Sequence, residues 1–210
     1  GIYTLGKSHF PVPCLNGNML FLDVYFNGKP GEKSLSLLAF FNRNQRFDDG
    51  IYTEPKNAYC SNKSCYGPHT CYWGVVKLFK GLSFIPEAYR NKDAIELRDK
   101  CLGFILKHKV CYSSNHYPRF ISPKVDQLTF PNFYKSDFLE ILWLLKREKI
   151  RHEDLSPALK LLKSKQQSDG SWNLERSIQF MAASVGVVGR FNPFVTCRAR
   201  EVVVYYNNFF

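Results

Sequence analysis

The octapeptide Pro68-His69-Thr70-Cys71-Tyr72-Trp73-Gly74-Val75 has three counterparts elsewhere in the chain, and that recurrence decides how the rest is read. The counterparts are Pro13-Cys14-Leu15-Asn16-Gly17-Asn18-Met19-Leu20, Pro131-Asn132-Phe133-Tyr134-Lys135-Ser136-Asp137-Phe138 and Pro193-Phe194-Val195-Thr196-Cys197-Arg198-Ala199-Arg200. Each opens with proline just ahead of an apolar run. Proline is tolerated in the first turn of a helix, where its missing N–H would have no intrahelical partner. The four prolines therefore predict four helix starts. Anchored on Cys14, Cys71, Tyr134 and Cys197, the starts are separated by 57, 63 and 63 residues, a repeat of about 60 residues.

The runs behind these prolines are apolar nearly all round. After Pro131, Phe138, Ile141, Leu142 and Leu145 form one stripe at helical spacing, while Leu139, Trp143 and Leu144 cover another side. Such helices are expected in the interior. More amphipathic runs alternate with them, at 33–46, 93–111 and 156–166, and should turn their charges to solvent. Two of these end in related turns, Gln45-Arg46-Phe47-Asp48-Asp49-Gly50-Ile51-Tyr52 and Gln166-Gln167-Ser168-Asp169-Gly170-Ser171-Trp172. Glycine there can take the left-handed conformation that stops a helix. The aromatic two residues later, Tyr52 or Trp172, is expected to plug back onto its own hairpin. No segment sustains the alternation of a strand. The expected fold class is all-α, a single domain over 1–210 made of inner and outer helical hairpins.

Gln-x-x-Asp-Gly-x-Trp after an outer helix, with His-Thr-Cys-Tyr opening an inner one, resembles the repeats of protein prenyltransferase β subunits and of squalene and oxidosqualene cyclases. The resemblance covers roughly residues 12 to 206. It implies an α/α-toroid, in which inner and outer helices alternate around a barrel, usually of six hairpins. This chain would supply about three and a half of them, a partial barrel that further repeats or a partner protein would close. It also implies a central cavity for an apolar or isoprenoid-diphosphate ligand, and a prenyltransferase-like or terpene-cyclase-like enzyme. The alternative reading is a non-catalytic binding or scaffold toroid.

The 210 residues are 45% hydrophobic and 16% aromatic, which is the composition of a folded globular protein. No stretch approaches the ~18 to 20 apolar residues needed to cross a bilayer, and the first residues lack the pattern of a signal peptide. A soluble, cytoplasmic chain without a membrane span is expected, and the missing initiator Met suggests a fragment or processed form. Lys and Arg outnumber Asp and Glu 29 to 18, so the surface should attract an anion. The basic residues are scattered over helix faces and are not interleaved with Gly or aromatics as in a nucleic-acid module, which argues against a nucleic-acid partner. The 7 cysteines are odd in number, and reduced thiols or metal ligands are expected rather than a disulfide framework.

Residues at the inner-helix starts are expected to converge on one mouth of the cavity. Thiolates near helix N-termini are stabilised by the dipole, and Cys14, His69 and Cys71 make a donor set suited to zinc. In the related prenyltransferases zinc is held by Asp-x-Cys on one inner helix and His from another, and here His69-x-Cys71 occupies the place of Asp-x-Cys. A local clip made of Cys60, Cys65, His69 and Cys71 uses two of the same residues, and the two sets stay open. Asp137 and Tyr134 are the candidate catalytic residues. Asp137 with Arg198 or Arg200 could form either a polar site or an interhelical salt bridge. Tyr72, Trp73 and Phe133, with Arg198 and Arg200, are the candidate ligand-binding residues, although aromatics at these places equally suit a core. The chain has no Asp-x-Asp-Asp of the terpene cyclases, no Asp-Asp-x-x-Asp, no glycine-rich phosphate loop and no Gly-x-Ser-x-Gly.

Overall fold

A computed structural model describes residues 2–4, 11–49, 65, 69–178 and 183–209. The described residues contain seven α-helices, three short 3₁₀ turns and no strand, only isolated bridges such as Tyr112 with Phe120 and Asn173 with Phe191. The all-α expectation holds. Where the sequence was read as one domain, the chain divides into two compact units, Gly1–Phe104 and Ile105–Phe210. No described helix is long and apolar enough to cross a membrane.

In the first unit α1 (Pro13–Asn27) begins with proline in its first turn, as the sequence predicts, and stops at Gly28, whose φ of 70° returns an N–H to the Val24 carbonyl. It packs along the whole of α3 (Tyr72–Phe84) and against α2 (Glu32–Asn44). The approach of α1 and α3 is close because their contact points are glycines. A Cβ on Gly17 would overlap the Lys77 carbonyl, one on Gly74 would sit 2.7 Å from Pro13 Cβ, and one on Gly81 would meet Leu20 at 2.8 Å. Helix α3 is buried nearly all round, as expected of an inner helix, whereas α4 (Lys92–Lys107) buries the stripe Ala94, Leu97, Cys101 and Phe104. Helix α4 continues past the boundary between the units.

The second unit is built on α5 (Phe138–Arg147), α6 (Ser156–Ser164) and α7 (Pro193–Tyr205), with α7 packed on both α5 and α6. The predicted helix start at Pro131 is not one. Pro131 follows a cis peptide bond in an irregular connection, and α5 begins at Phe138, where Asp137 supplies the cap. A proline lacking its N–H is as compatible with a connection as with a first turn, so composition alone could not separate the two. The consequence is a loss of register. Cys14 is the second residue of α1, Cys71 precedes α3, Tyr134 lies in the connection and Cys197 is the fifth residue of α7.

The turn after α6 behaves as predicted. Gly170 takes φ 78°, and Trp172 folds back to 0% exposure, its indole N–H donating to the Leu162 carbonyl at 2.9 Å. Its backbone N–H donates to Thr196 Oγ1, whose hydroxyl donates in turn to the Trp172 carbonyl, both at 3.0 Å. The plug thus ties the end of α6 to the start of α7. Its proposed counterpart, Tyr52, lies outside the described residues.

Candidate functional site

The sequence-chosen residues fall into two groups, one in each unit. In the first, the end of α2 meets the start of α3. Arg46 and Asp48 form an ion pair in the turn after α2, and Thr70 donates to Asp48 Oδ1 at 3.3 Å. Asp48 therefore fastens the His69-Thr70-Cys71 segment to that turn. Around it Asn44, Gln45, Cys65, His69 and Cys71 line a small crevice.

Three thiols share this region. Cys65 and Cys71 are hydrogen-bonded, and Cys14 feels both. The Cys71 thiol is pushed far up, first by its bond with Cys65 and then by burial, and Cys14 is pushed up to about 11, chiefly by burial. The expected dipole-stabilised thiolates are not what the site favours. Desolvation and neighbouring thiols outweigh the field of a helix N-terminus, so Cys14 and Cys71 favour the protonated form. No described group of three His, Cys, Asp or Glu side chains is arranged to hold a metal ion. Cys60, the fourth member of the clip, lies outside the described residues. One Asp-x-Cys does occur, Asp99-Lys100-Cys101, but it sits on outer helix α4, with Asp99 exposed and paired to Arg98 and Cys101 fully buried. These two residues point opposite ways and cannot act as a ligand pair.

The ligand candidates of this unit divide. Tyr72 is 6% exposed and packs edge-on against Trp73 and beside Phe104, which makes it part of the core, while Trp73 is half-buried.

In the second unit Asp137 is 2% exposed and both its oxygens are engaged by backbone: Oδ1 accepts from Glu140 N at 2.8 Å, Oδ2 from Thr129 N at 2.6 Å. Burial pushes its carboxyl up to about 6, against those two hydrogen bonds and the charge of Arg198. The geometry makes Asp137 a helix cap, where an acid open to a ligand was expected. Tyr134 and Phe133 stand half-exposed in the connection before it. Arg198 donates to Asn132 Oδ1 at 3.4 Å and lies 5.0 Å from the centre of the Trp143 ring. No Asp137–Arg198 ion pair forms, because the carboxylate is already spent on the cap.

Polar side chains that the sequence did not single out join α5 to α7. Glu201 Oε2 accepts from Trp143 Nε1 at 3.1 Å and from Lys146 Nζ at 2.7 Å, and the Lys146 bond holds the Glu201 carboxyl below its ordinary value. Beside this pair a groove of about 730 Å³ runs along α7, lined mainly by Phe191, Pro193, Cys197, Arg200, Val204 and Tyr205. Cys197, Arg200, Glu201 and Val204 recur at helical spacing, a signal present in the sequence. It was masked by the expectation that α7 would be buried on every side. Arg200 is exposed and makes no ion pair with a described residue, and Val204 is 73% exposed.

No protein-family model, curated protein or solved structure matches this chain.

The arrangement therefore speaks for itself chemically. It offers an apolar trough with the exposed Arg200 beside it, a Lys146–Glu201 ion pair at its edge, and no activated nucleophile or free carboxylic acid among the described sequence-chosen residues.

Proposed function

We propose that the chain is a binding module for an amphiphile, an apolar chain carrying an anionic head, with an isoprenoid diphosphate as the ligand best suited. The observation that carries this reading is the groove along α7. Its volume falls within the ~300 to 1,000 Å³ usual for small-molecule sites. Phe191, Pro193, Val204 and Tyr205 supply the apolar wall, and Arg200, exposed and in no ion pair with a described residue, supplies the charge for a diphosphate. The resemblance to prenyltransferase and terpene-cyclase repeats agrees with such a ligand, and an enzyme acting on it would need groups beyond the capped Asp137.

Titration calorimetry with farnesyl diphosphate, farnesol and inorganic pyrophosphate tests this. The full ligand should bind more tightly than either half, Val204→Asp should abolish the contribution of the chain, and Arg200→Ala that of the head. Equal binding to wild type and both variants would overturn the reading. Concentration-dependent association of the chain, lost in Val204→Asp, would instead assign the groove to a protein partner or to further repeats.

A second reading is favoured by one observation, the grouping of Cys14, Cys65 and Cys71. Zinc could be held by Cys60, Cys65, His69 and Cys71 as a structural clip, or by Cys14, His69 and Cys71, and its charge would offset the burial that favours the protonated form of Cys14 and Cys71. Metal analysis of the purified chain decides it. Zinc lost in the Cys60→Ala, Cys65→Ala variant supports the clip, zinc lost only in His69→Ala, Cys71→Ala supports the other set, and a chain without zinc removes both.

A further inference from the structure

The second unit has another concave surface, far along the chain from α7, in the connection between α4 and α5. From Cys111 to Phe120 that connection doubles back on itself. Ile121 N donates to the Cys111 carbonyl at 2.9 Å, Ser113 N to the Arg119 carbonyl and Arg119 N to the His116 carbonyl, both at 2.7 Å. Tyr112 stacks on Phe120 with centroids 5.1 Å apart and packs against Tyr117 at 5.2 Å. The next stretch is fastened as well, since Phe138 N, at the first residue of α5, donates to the Val125 carbonyl at 2.9 Å. A connection held by backbone bonds at both ends, and by ring stacking at the first, keeps its backbone in place before any ligand arrives.

This frame encloses a pocket of about 460 Å³ lined by Ser113, His116, Arg119, Ser122, Lys124 and Asp126, with Phe120, Ile121 and Pro123 as its apolar wall. Arg119 and Lys124 are exposed and form no ion pair with a described residue. Against these two cations, the lining holds the one carboxylate of Asp126. The pocket is therefore positive even with His116 neutral, and two serine hydroxyls add donors for oxygen ligands. Neither a structural ion pair nor the proposed amphiphile groove uses any of these residues.

We infer that the pocket formed by Ser113, His116, Arg119, Ser122 and Lys124 binds a small phosphate-bearing molecule. The guanidinium of Arg119 offers the paired donors that match phosphate oxygens, Lys124 adds a point charge, and the hydroxyls complete the set. The apolar wall and the volume, much larger than one phosphate group needs, favour an organic phosphate with a flat or apolar body over the inorganic ion. The inference is independent of the α7 groove.

Titration of the full chain with inorganic phosphate, pyrophosphate and adenosine monophosphate, followed by calorimetry and by phosphorus NMR, tests it. The wild type should bind at least one of the three, most tightly the nucleotide. Arg119→Gln combined with Lys124→Gln should weaken that binding about tenfold or more, a loss equivalent to about 1.4 kcal/mol. Both side chains are exposed, so the variant should fold, and an unchanged circular-dichroism melt verifies this. Lys160→Gln, the same kind of charge change on an exposed face of α6, should leave binding as in the wild type. Inorganic phosphate binding as tightly as the nucleotide would leave the phosphate site standing and remove its organic body. Absence of binding by the wild type, binding unaltered in the double variant, or an equal loss in Lys160→Gln would overturn the inference.

Discussion

Most helices of the two units start in different ways. In the first unit α1, α2 and α3 have no side chain capping their free N–H groups, and only α4 is capped, by Asn91, while in the second α5 and α7 are capped by Asp137 and Asn192 and only α6 is not. The first unit relies on backbone proximity, with Gly17, Gly74 and Gly81 allowing α1 and α3 to interlock. The second relies on polar ties between helix ends and connections: Asp137 to Thr129, Thr196 to Trp172, and Tyr206 Oη to the Ile150 carbonyl at 2.8 Å. A close-packed helix pair needs few caps because packing supplies most helical stability. Short helices joined by long connections need their ends satisfied, and satisfying them takes up the residues that look most reactive in the sequence.

The sharpest way to break that contrast is to remove the tie that does most. Trp172→Ala deletes a fully buried ring and its hydrogen bond to the Leu162 carbonyl at the end of α6, and should lower the unfolding free energy by about 3 to 5 kcal/mol in denaturant titrations. A smaller change, with any binding activity lost, would move Trp172 from plug to site.

The cap at Asp137 makes a prediction with a direction in pH. Its native value, pushed up to about 6, lies above the ordinary carboxylate value of 3.8. The native state therefore holds the proton more tightly than the unfolded chain. The stabilisation from that proton is complete below about 4 and is lost as pH rises through about 6. Relative to Asp137→Asn, the wild type should lose on the order of 2 to 3 kcal/mol between pH 4 and pH 7. A difference between the two proteins that does not vary with pH would show that the two backbone hydrogen bonds, and not burial, set the charge of Asp137.

In the first unit, Gly17→Val pushes a branched side chain into the Lys77 carbonyl and should cost about 1 to 3 kcal/mol, read as a lower thermal midpoint. If the midpoint is unchanged, the interlocking of α1 with α3 is not what holds the unit together. The smallest effect belongs to Gly103, on α4, where a Cβ would meet nothing within 4 Å. Gly103→Ala should stabilise by about 0.5 to 1 kcal/mol through helix propensity alone, and a destabilised variant would mean that this face of α4 is covered.

Much of the site was legible only in part. Asp137 was picked out correctly as an unusual polar residue at a helix start, yet read as a group facing a cavity. Its type and position were visible, while its partner, the backbone of Thr129, was not, because the connection that brings it there has no periodicity. Arg198 was noticed too, but its neighbours Asn132 and Trp143 come from other segments. The thiols of Cys14 and Cys71 were expected at one level and do share a region, but as protonated, buried groups. Tyr134 lies in a connection because Pro131 does not start a helix, and Cys197 is the fifth residue of α7.

The sequence by itself determined what depends on neighbours a few residues away: helical periodicity, the proline at the start of α1, the left-handed glycine in the turn after α6 and the aromatic plug that follows it. These are local steric and hydrogen-bonding preferences, and the residues concerned carry them wherever they sit. Only the tertiary structure decided where α5 begins, which carboxylate is used as a cap, which face of α7 stays uncovered and which cations of the α4–α5 connection gather around one pocket. Those outcomes depend on competition for buried backbone groups and for apolar area between segments distant in the chain, and no spacing within one segment records how that competition ends.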